Sequence, residues 1–423
     1  MDTILRITHY ITDDLGTMVI LPLFLIIIGS IFKMKFLKAL RSGLLVVIGL
    51  KGIGLMIGFM SEAMQPAIAG MVESIGLSFQ ITDVGFPTIG SAAWSSPIAP
   101  VIIPLCIIIN AVLLQFKWTK TLNIDIWNMF HFILAGAVTY VLTGNFIAAL
   151  VVAAIFCVIA LKAADWEAPY WQKQFNLPGT TVAVIPCIPN AFLAFGLNKL
   201  IDRIPKVRDI EWDATKTKHL HFIGDPIFLG LIIGAAFAAL ARLPFATILN
   251  TGVSLAAVML LLPRMASLLM EGLAPITQSA SSFMKSRYGG TREINIALDV
   301  ACGVGDPTVV AISTICIPIY ILLAIILPGN LWFPIVSLTG ICYNVVQSVE
   351  MSKGNFFRSL VTFIIYLILH CYVITFLAPA VTSMVQWAGM ELPAGALYVG
   401  GGNPENALLA LLTFILNLFG FKS

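Results

Sequence analysis

Long apolar runs alternate with short polar stretches along almost the whole chain. A membrane-crossing helix needs about 20 mostly apolar residues. By that measure the segments 16–32, 41–60, 98–116, 126–142, 144–162, 222–241, 244–262, 309–328, 331–349, 357–378 and 403–420 are each predicted to cross. The pattern predicts an all-α polytopic membrane protein with about 11 transmembrane helices.

Three moderately apolar segments, 81–97, 178–198 and 293–308, are too short and too interrupted by Gly or Pro to be simple crossings. Broken backbone facing lipid would leave N–H and C=O groups unsatisfied, so it is tolerated only inside protein or along a cavity. Segments 81–97 and 293–308 are therefore read as two re-entrant hairpins that meet around a pocket. For 178–198 a re-entrant hairpin and a surface loop both stay open.

Composition agrees with this reading. Hydrophobic residues make up 59% and charged residues 11% of the 423, and mean hydropathy is +0.97. A soluble globule would lack the polar residues to cover itself. Lys and Arg number 24 against 21 Asp and Glu, a net +3. That balance gives no reason to expect a nucleic-acid partner. The seven Cys lack CxxC spacing and read as small buried hydrophobes, so neither disulfides nor metal are expected. The N-terminal apolar run, Met18 to Phe32, lacks a small-residue cleavage site and is not read as a signal peptide.

Charge also orients the spans. With Lys33, Lys35, Lys38 and Arg41 in the cytoplasm, alternate crossings place 117–120, 162–221, 263–308, 350–358 and the C-terminus there too. Of the basic residues only Arg6, Lys51 and Arg242 break the rule. The N-terminus is then external. Segments 199–221 and 264–292 become cytoplasmic loops suited to a soluble partner, the second with amphipathic helical character. Gly224-Asp225-Pro226 recurs as Gly305-Asp306-Pro307, a faint internal echo.

Ionisable residues at membrane depth are functional candidates. They are Lys51, Asp83, Asp125, His131, Asp225, Asp299, Asp306, Glu350 and His370. Carboxylates accept paired hydroxyls, Trp94 and Trp127 offer flat faces for sugar C–H groups, and Asn123, Asn128 and His131 add neutral donors and acceptors. This is chemistry for an uncharged, polyhydroxylated ligand. The proposed substrate-binding set is Asp83, Trp94, Asn123, Asn128, His131, Asp299 and Asp306, with Asp299 foremost. Asp125 and Asp306 also fit the alternative of helix N-caps. Glu350 reads as an interface residue and His370 as a buried histidine. No catalytic residue or cofactor is expected, and Walker A, GxSxG and HExxH patterns are missing from the sequence. Cys302-Gly303-Val304-Gly305 superficially suggests a phosphate-cradling loop, but no soluble strand precedes it.

Several blocks together resemble a known family. They are TDVGFPTIGSAAW (82–94), NIDIWNMFHF (123–132), ADWEAPYWQKQFNLPG (164–179), LIDRIP (200–205), GDPIFLGLIIG (224–234), MLLLPRMASLLMEGLAP (259–275) and LPGN (327–330). In this order they resemble the galactitol-type IIC component of the sugar phosphotransferase system, related to the ascorbate-type transporters. The resemblance implies a single membrane domain over 1–423 with interleaved scaffold and core parts, a homodimer and elevator-type movement. It implies a bacterial cytoplasmic (inner) membrane location, a sugar alcohol or sugar as substrate, and IIA and IIB subunits as partners. Phosphorylation would occur through a cysteine of the separate IIB, so no phosphorylated residue is expected in this chain. Asp83, His131 and Asp299 carry over as matching positions in the core. The competing reading is an ion-coupled secondary transporter of a polyol or sugar, with Asp299 or Asp306 as its proton or Na⁺ site.

Overall fold

The computed structural model describes residues 26–421 apart from 28, 31–32, 76–78, 124, 211–225, 289–292, 394–395 and 403. Most of the first predicted span lies outside these residues, as do Asp225 and the distal half of the 199–221 segment.

Long helices carry most of the structure. Helix α1 (Phe36–Ile75) runs for 40 residues, α7 is Pro226–Leu240, and α8 (Phe245–Tyr288) runs for 44. These three pack on one another. At the α7–α8 crossing, a Cβ on Gly234 would sit 2.8 Å from the Thr251 carbonyl, and one on Gly230 2.7 Å from Ala256 Cα. The Gly-xxx-Gly spacing lets the two backbones approach as only small residues permit. Helix α8 continues without a break through 264–288, so the expected second loop is a helix packed along α1. There Arg41 pairs with Glu271 at 2.9 Å, and the Gly272 face meets Ser42 and Val46.

The remaining helices are α2 (Gly85–Trp94), α3 (Ala99–Gln115), α4 (Ile126–Thr143), α5 (Phe146–Phe175), α6 (Cys187–Ile201), α9 (Pro307–Ile326), α10 (Ile341–Met351), α11 (Phe356–Trp387) and α12 (Ala407–Leu418). Among the described residues α5, α9 and α11 are long and apolar enough to cross a membrane unaided. The chain bends by 81° between α2 and α3. Exposed apolar stripes such as Ile147, Val151 and Ile155 on α5 suit a lipid-facing surface.

Five short strands thread between the helices: β1 (Ile81–Asp83), β2 (Thr121–Asn123), β3 (Thr180–Val182), β4 (Asn295–Leu298) and β5 (Tyr398–Gly400). Strand β1 pairs in parallel with β5, and β4 lies between β2 and β3, also in parallel. Pairing within the protein satisfies backbone groups that lipid could not. Strands β1, β2 and β3 are each followed within a few residues by a helix (α2, α4 and α6), and β4 by a 3₁₀ turn at Val300–Gly303. Gly85, at φ +70°, turns the chain from β1 into α2.

The structure adds detail to several sequence expectations. Segments 81–97, 178–198 and 293–308 each contain a short strand followed by helix, and β3 with α6 makes 178–198 as ordered as the other two. The predicted span 331–349 is mostly a 3₁₀ turn (Ser337–Gly340) and the 11-residue α10. The span 403–420 shortens to the 12-residue α12. By contrast, the span 144–162 extends to Phe175 as α5, where the sequence pattern predicts a loop over 163–175.

Candidate functional site

The β2–β4–β3 sheet positions the candidate site. Asn123 ends β2 opposite Ala297, and Val182 ends β3 opposite Leu298, so three chains leave the sheet on the same side. Asp125, just beyond β2, caps α4 by accepting from the Trp127 amide at 2.8 Å. Asp299, just beyond β4, accepts from the Ala301 amide at 2.7 Å and caps the 3₁₀ turn Val300–Gly303. Two residues beyond the paired Asn123 and Ala297, Asp125 and Asp299 leave neighbouring strands side by side. Cys187, the first residue of α6, follows β3 on the far side of β4 from β2.

Neutral polar groups flank this pair. Asn128 Nδ2 donates to Asn123 Oδ1 at 3.1 Å. Asn123 is itself held by its backbone amide, which donates to Asn110 Oδ1 at 2.9 Å. Asn128 Oδ1 and His131 Nδ1 are buried without a hydrogen-bond partner. Buried polar atoms are normally paired, so these two are candidate contacts for a ligand. Aromatic rings close the apolar side: Phe130 contacts Phe86 at 5.0 Å, His131 at 5.1 Å and Trp94 at 6.3 Å between centroids. Trp127 lies 6.1 Å from Phe86. Asn123, Asn128 and Asp299 thus lie around the ends of β2 and β4, while His131 and Trp94 lie along α4 and its packing against α2.

Asp83 lies elsewhere. Its carboxylate accepts from Gly85 N at 3.0 Å, Ile335 N at 2.7 Å, Ser337 N at 2.8 Å and Ser337 Oγ at 2.7 Å. Four donors occupy its acceptor positions. Asp83 and Asp299 follow different sheets: the first carboxylate ties β1 to the 331–340 segment, while the second stands at the end of β4. Asp306 caps α9. Its Oδ1 accepts from the Thr308 and Val309 amides at 2.8 and 3.3 Å, and Gln174 Nε2 donates to Oδ2 at 3.3 Å. The N-cap alternatives for Asp125 and Asp306 both hold. His370 is buried as expected, within hydrogen-bond distance of the Tyr320 hydroxyl (2.7 Å) and the Glu405 carbonyl (3.1 Å).

Residues 10–395 match the family described as the PTS system sugar-specific permease component. The chain belongs to this family. The permease is 33% identical over 423 residues to the PTS system galactitol-specific EIIC component of Escherichia coli K12, covering 98% of this chain and 92% of that relative. The protein of the same name from Escherichia coli O157:H7 matches over the same extent.

Glu167 and Gln347 are not among the candidates that the sequence pattern offers, and Glu350 reads there as an interface residue. All three are buried in the permease, on α5 and α10, with Glu167 facing the two α10 side chains. Glu167 stands within ADWEAPYW, but the nearby Lys162 and Asp165 make the stretch look like the start of a loop. Asp165 does serve locally: its Oδ1 accepts from Thr119 Oγ1, Lys120 N and Thr121 Oγ1 at 2.8–3.0 Å, fastening β2 to α5.

Proposed function

We propose that this permease moves a galactitol-like sugar alcohol or sugar across the bacterial cytoplasmic membrane, for release as its phosphate ester. Phosphorylation is carried out by a separate IIB subunit, supplied by IIA, and this chain holds and translocates the sugar. The nearly full-length match to the galactitol-specific relatives is the single observation that carries the reading. The site supports it, because carboxylates, amides and an imidazole beside aromatic rings suit an uncharged, hydroxyl-rich ligand better than a charged one.

Asp299, Asn128 and His131, with Asn123 and Trp94 behind them, are the substrate-binding group in this reading. Asp83 and Asp306 support the segments that build it. The crossing count of about 11, an external N-terminus, a cytoplasmic C-terminus, a homodimer and elevator movement of a core against a scaffold belong to the same proposal. The ion-coupled alternative draws no support from the family match.

The test is uptake of a panel of radiolabelled hexitols, pentitols and hexoses by cells that express the permease, with and without the soluble phosphotransferase proteins. The proposal expects uptake of at least one hexitol, and only when those proteins are present. Uptake that persists undiminished without them would support the ion-coupled transporter.

A further inference from the structure

Helix α3 carries one amide side chain in its apolar interior, Asn110, next to Ile107, Ile108 and Ile109 in the chain. Asn110 is buried. An amide in such surroundings is costly unless both of its ends are used. Both are used on β2: Asn110 Nδ2 donates to the Thr121 carbonyl at 2.8 Å, and Oδ1 accepts from the Asn123 amide at 2.9 Å. Strand β2 is an outer strand of its sheet, with β4 on the inner side. The Lys120 carbonyl faces β4 and accepts from the Asn295 amide at 2.8 Å. One residue on, Thr121 faces the free edge, and so does Asn123. Backbone groups on a free edge lack strand partners. The Asn110 amide supplies them, standing where a peptide unit of a fourth strand would stand.

Backbone groups also set the sense of the amides that follow. A backbone N–H can only donate, so the atom of Asn110 that meets the Asn123 amide is oxygen. The Asp125 amide donates to Asn123 Oδ1 at 3.3 Å, which fixes the Asn123 side chain in turn. Asn128 must then point its Nδ2 at Asn123 Oδ1, at 3.1 Å. What remains is Asn128 Oδ1, buried and without a hydrogen-bond partner among the described residues. We propose that Asn110 is a positioning residue for the transported sugar alcohol. It holds Asn123, and through Asn123 it holds Asn128, so that the acceptor oxygen of Asn128 meets a hydroxyl hydrogen of the ligand. Asn110 itself needs no contact with the ligand. This role rests on the proposed sugar-binding role of Asn128 and carries it outward to α3.

The test is binding of tritiated galactitol to the purified full-length permease in detergent, with thermal melts on the same samples. Asn110→Leu removes both bonds at similar side-chain size and is expected to weaken binding about five- to twentyfold. Asn110→Asp keeps the acceptor for the Asn123 amide and loses the donor to Thr121, so its loss should be smaller, about two- to fivefold. Asn128→Leu removes the presented oxygen and should weaken binding about tenfold. The double variant decides the route. If Asn110 acts through Asn128, Asn110→Leu combined with Asn128→Leu binds no more weakly than Asn128→Leu alone, because residues in one network are not additive. Should Asn110→Leu fail to fold, Asn110→Asp completes the same cycle. Losses that multiply in the double variant would overturn the relay. Parent affinity in a folded Asn110 variant, with a lowered melting temperature, would also overturn it, since a purely structural bond gives that result. The underlying reading fails in a different place. A parent that binds no galactitol, or an Asn128→Leu variant that binds it like the parent, would remove the sugar-binding role of Asn128, and the positioning role with it.

Discussion

Ser337 donates to the Asp83 carboxylate twice, through its backbone amide at 2.8 Å and its hydroxyl at 2.7 Å, across 254 residues of chain. Together with the Ile335 amide, these bonds hold the 331–340 segment against β1. Removing the carboxylate by Asp83→Ala would leave buried donors unpaired. We expect a loss of stability of about 2–4 kcal/mol, seen as a lower melting temperature in detergent. Protein that survives should keep its KM for the sugar. A raised KM at unchanged stability would return Asp83 to the binding group.

Asp299 should behave in the opposite way. Asp299→Asn retains Oδ1, which accepts from Ala301, so the cap can persist. What is lost is the charge on the side chain beside Asp125. A charge-assisted hydrogen bond to a ligand hydroxyl is worth roughly 1.5–3 kcal/mol, so affinity should fall about ten- to a hundredfold. Ligand binding to the purified protein checks this, with size-exclusion profiles confirming an intact fold.

The α7–α8 crossing gives a prediction about packing alone. A side chain at Gly234 would meet the Thr251 carbonyl and, at 2.9 Å, Gly252 Cα, and neither backbone can turn aside. Gly234→Val is expected to destabilise by about 1–3 kcal/mol through overpacking. On α6, a Cβ added to Gly196 would have nothing within 4 Å. Gly196→Ala should therefore be neutral or slightly stabilising, because alanine favours helix. Paired thermal melts compare the two.

The proposed partner surface is also open to test. Arg358 fastens the 202–210 segment to the start of α11, through Asp202 Oδ1 at 2.7 Å and the Arg208 carbonyl at 2.8 Å. Exposed Arg203 and Lys206 lie on that segment. Reversing both charges should raise the KM for phosphorylated IIB about three- to tenfold, with a weakened salt dependence. The KM for the sugar should not move.

How far the sequence foretells this structure depends on how local each signal is. Asp306 before Pro307 marks a helix start with residues that lie side by side, and α9 begins there. Apolar runs likewise locate α3, α4 and α9. The strands are hidden because three- or four-residue segments pair across long stretches of chain, as Thr121 does with Asn295, and no local pattern encodes such a register. Glu167 escapes notice because Lys162, Asp165 and Glu167 lower the hydropathy of a helix that still buries Ala164, Ala168 and Trp171. Asp83 and Asp299 look alike in sequence, each in a broken apolar segment. Their difference appears only when the hydrogen-bond donors around each carboxylate are known.

The most direct measurement is the chemical form of the sugar delivered by the permease. Membrane vesicles containing it would be supplied with phosphoenolpyruvate, the soluble phosphotransferase proteins and labelled galactitol, and the product separated by charge. The account predicts that label crosses the membrane and emerges as the phosphate ester, and that omitting IIB abolishes both. Free galactitol accumulating at the same rate without IIB, driven by an ion gradient, would contradict it.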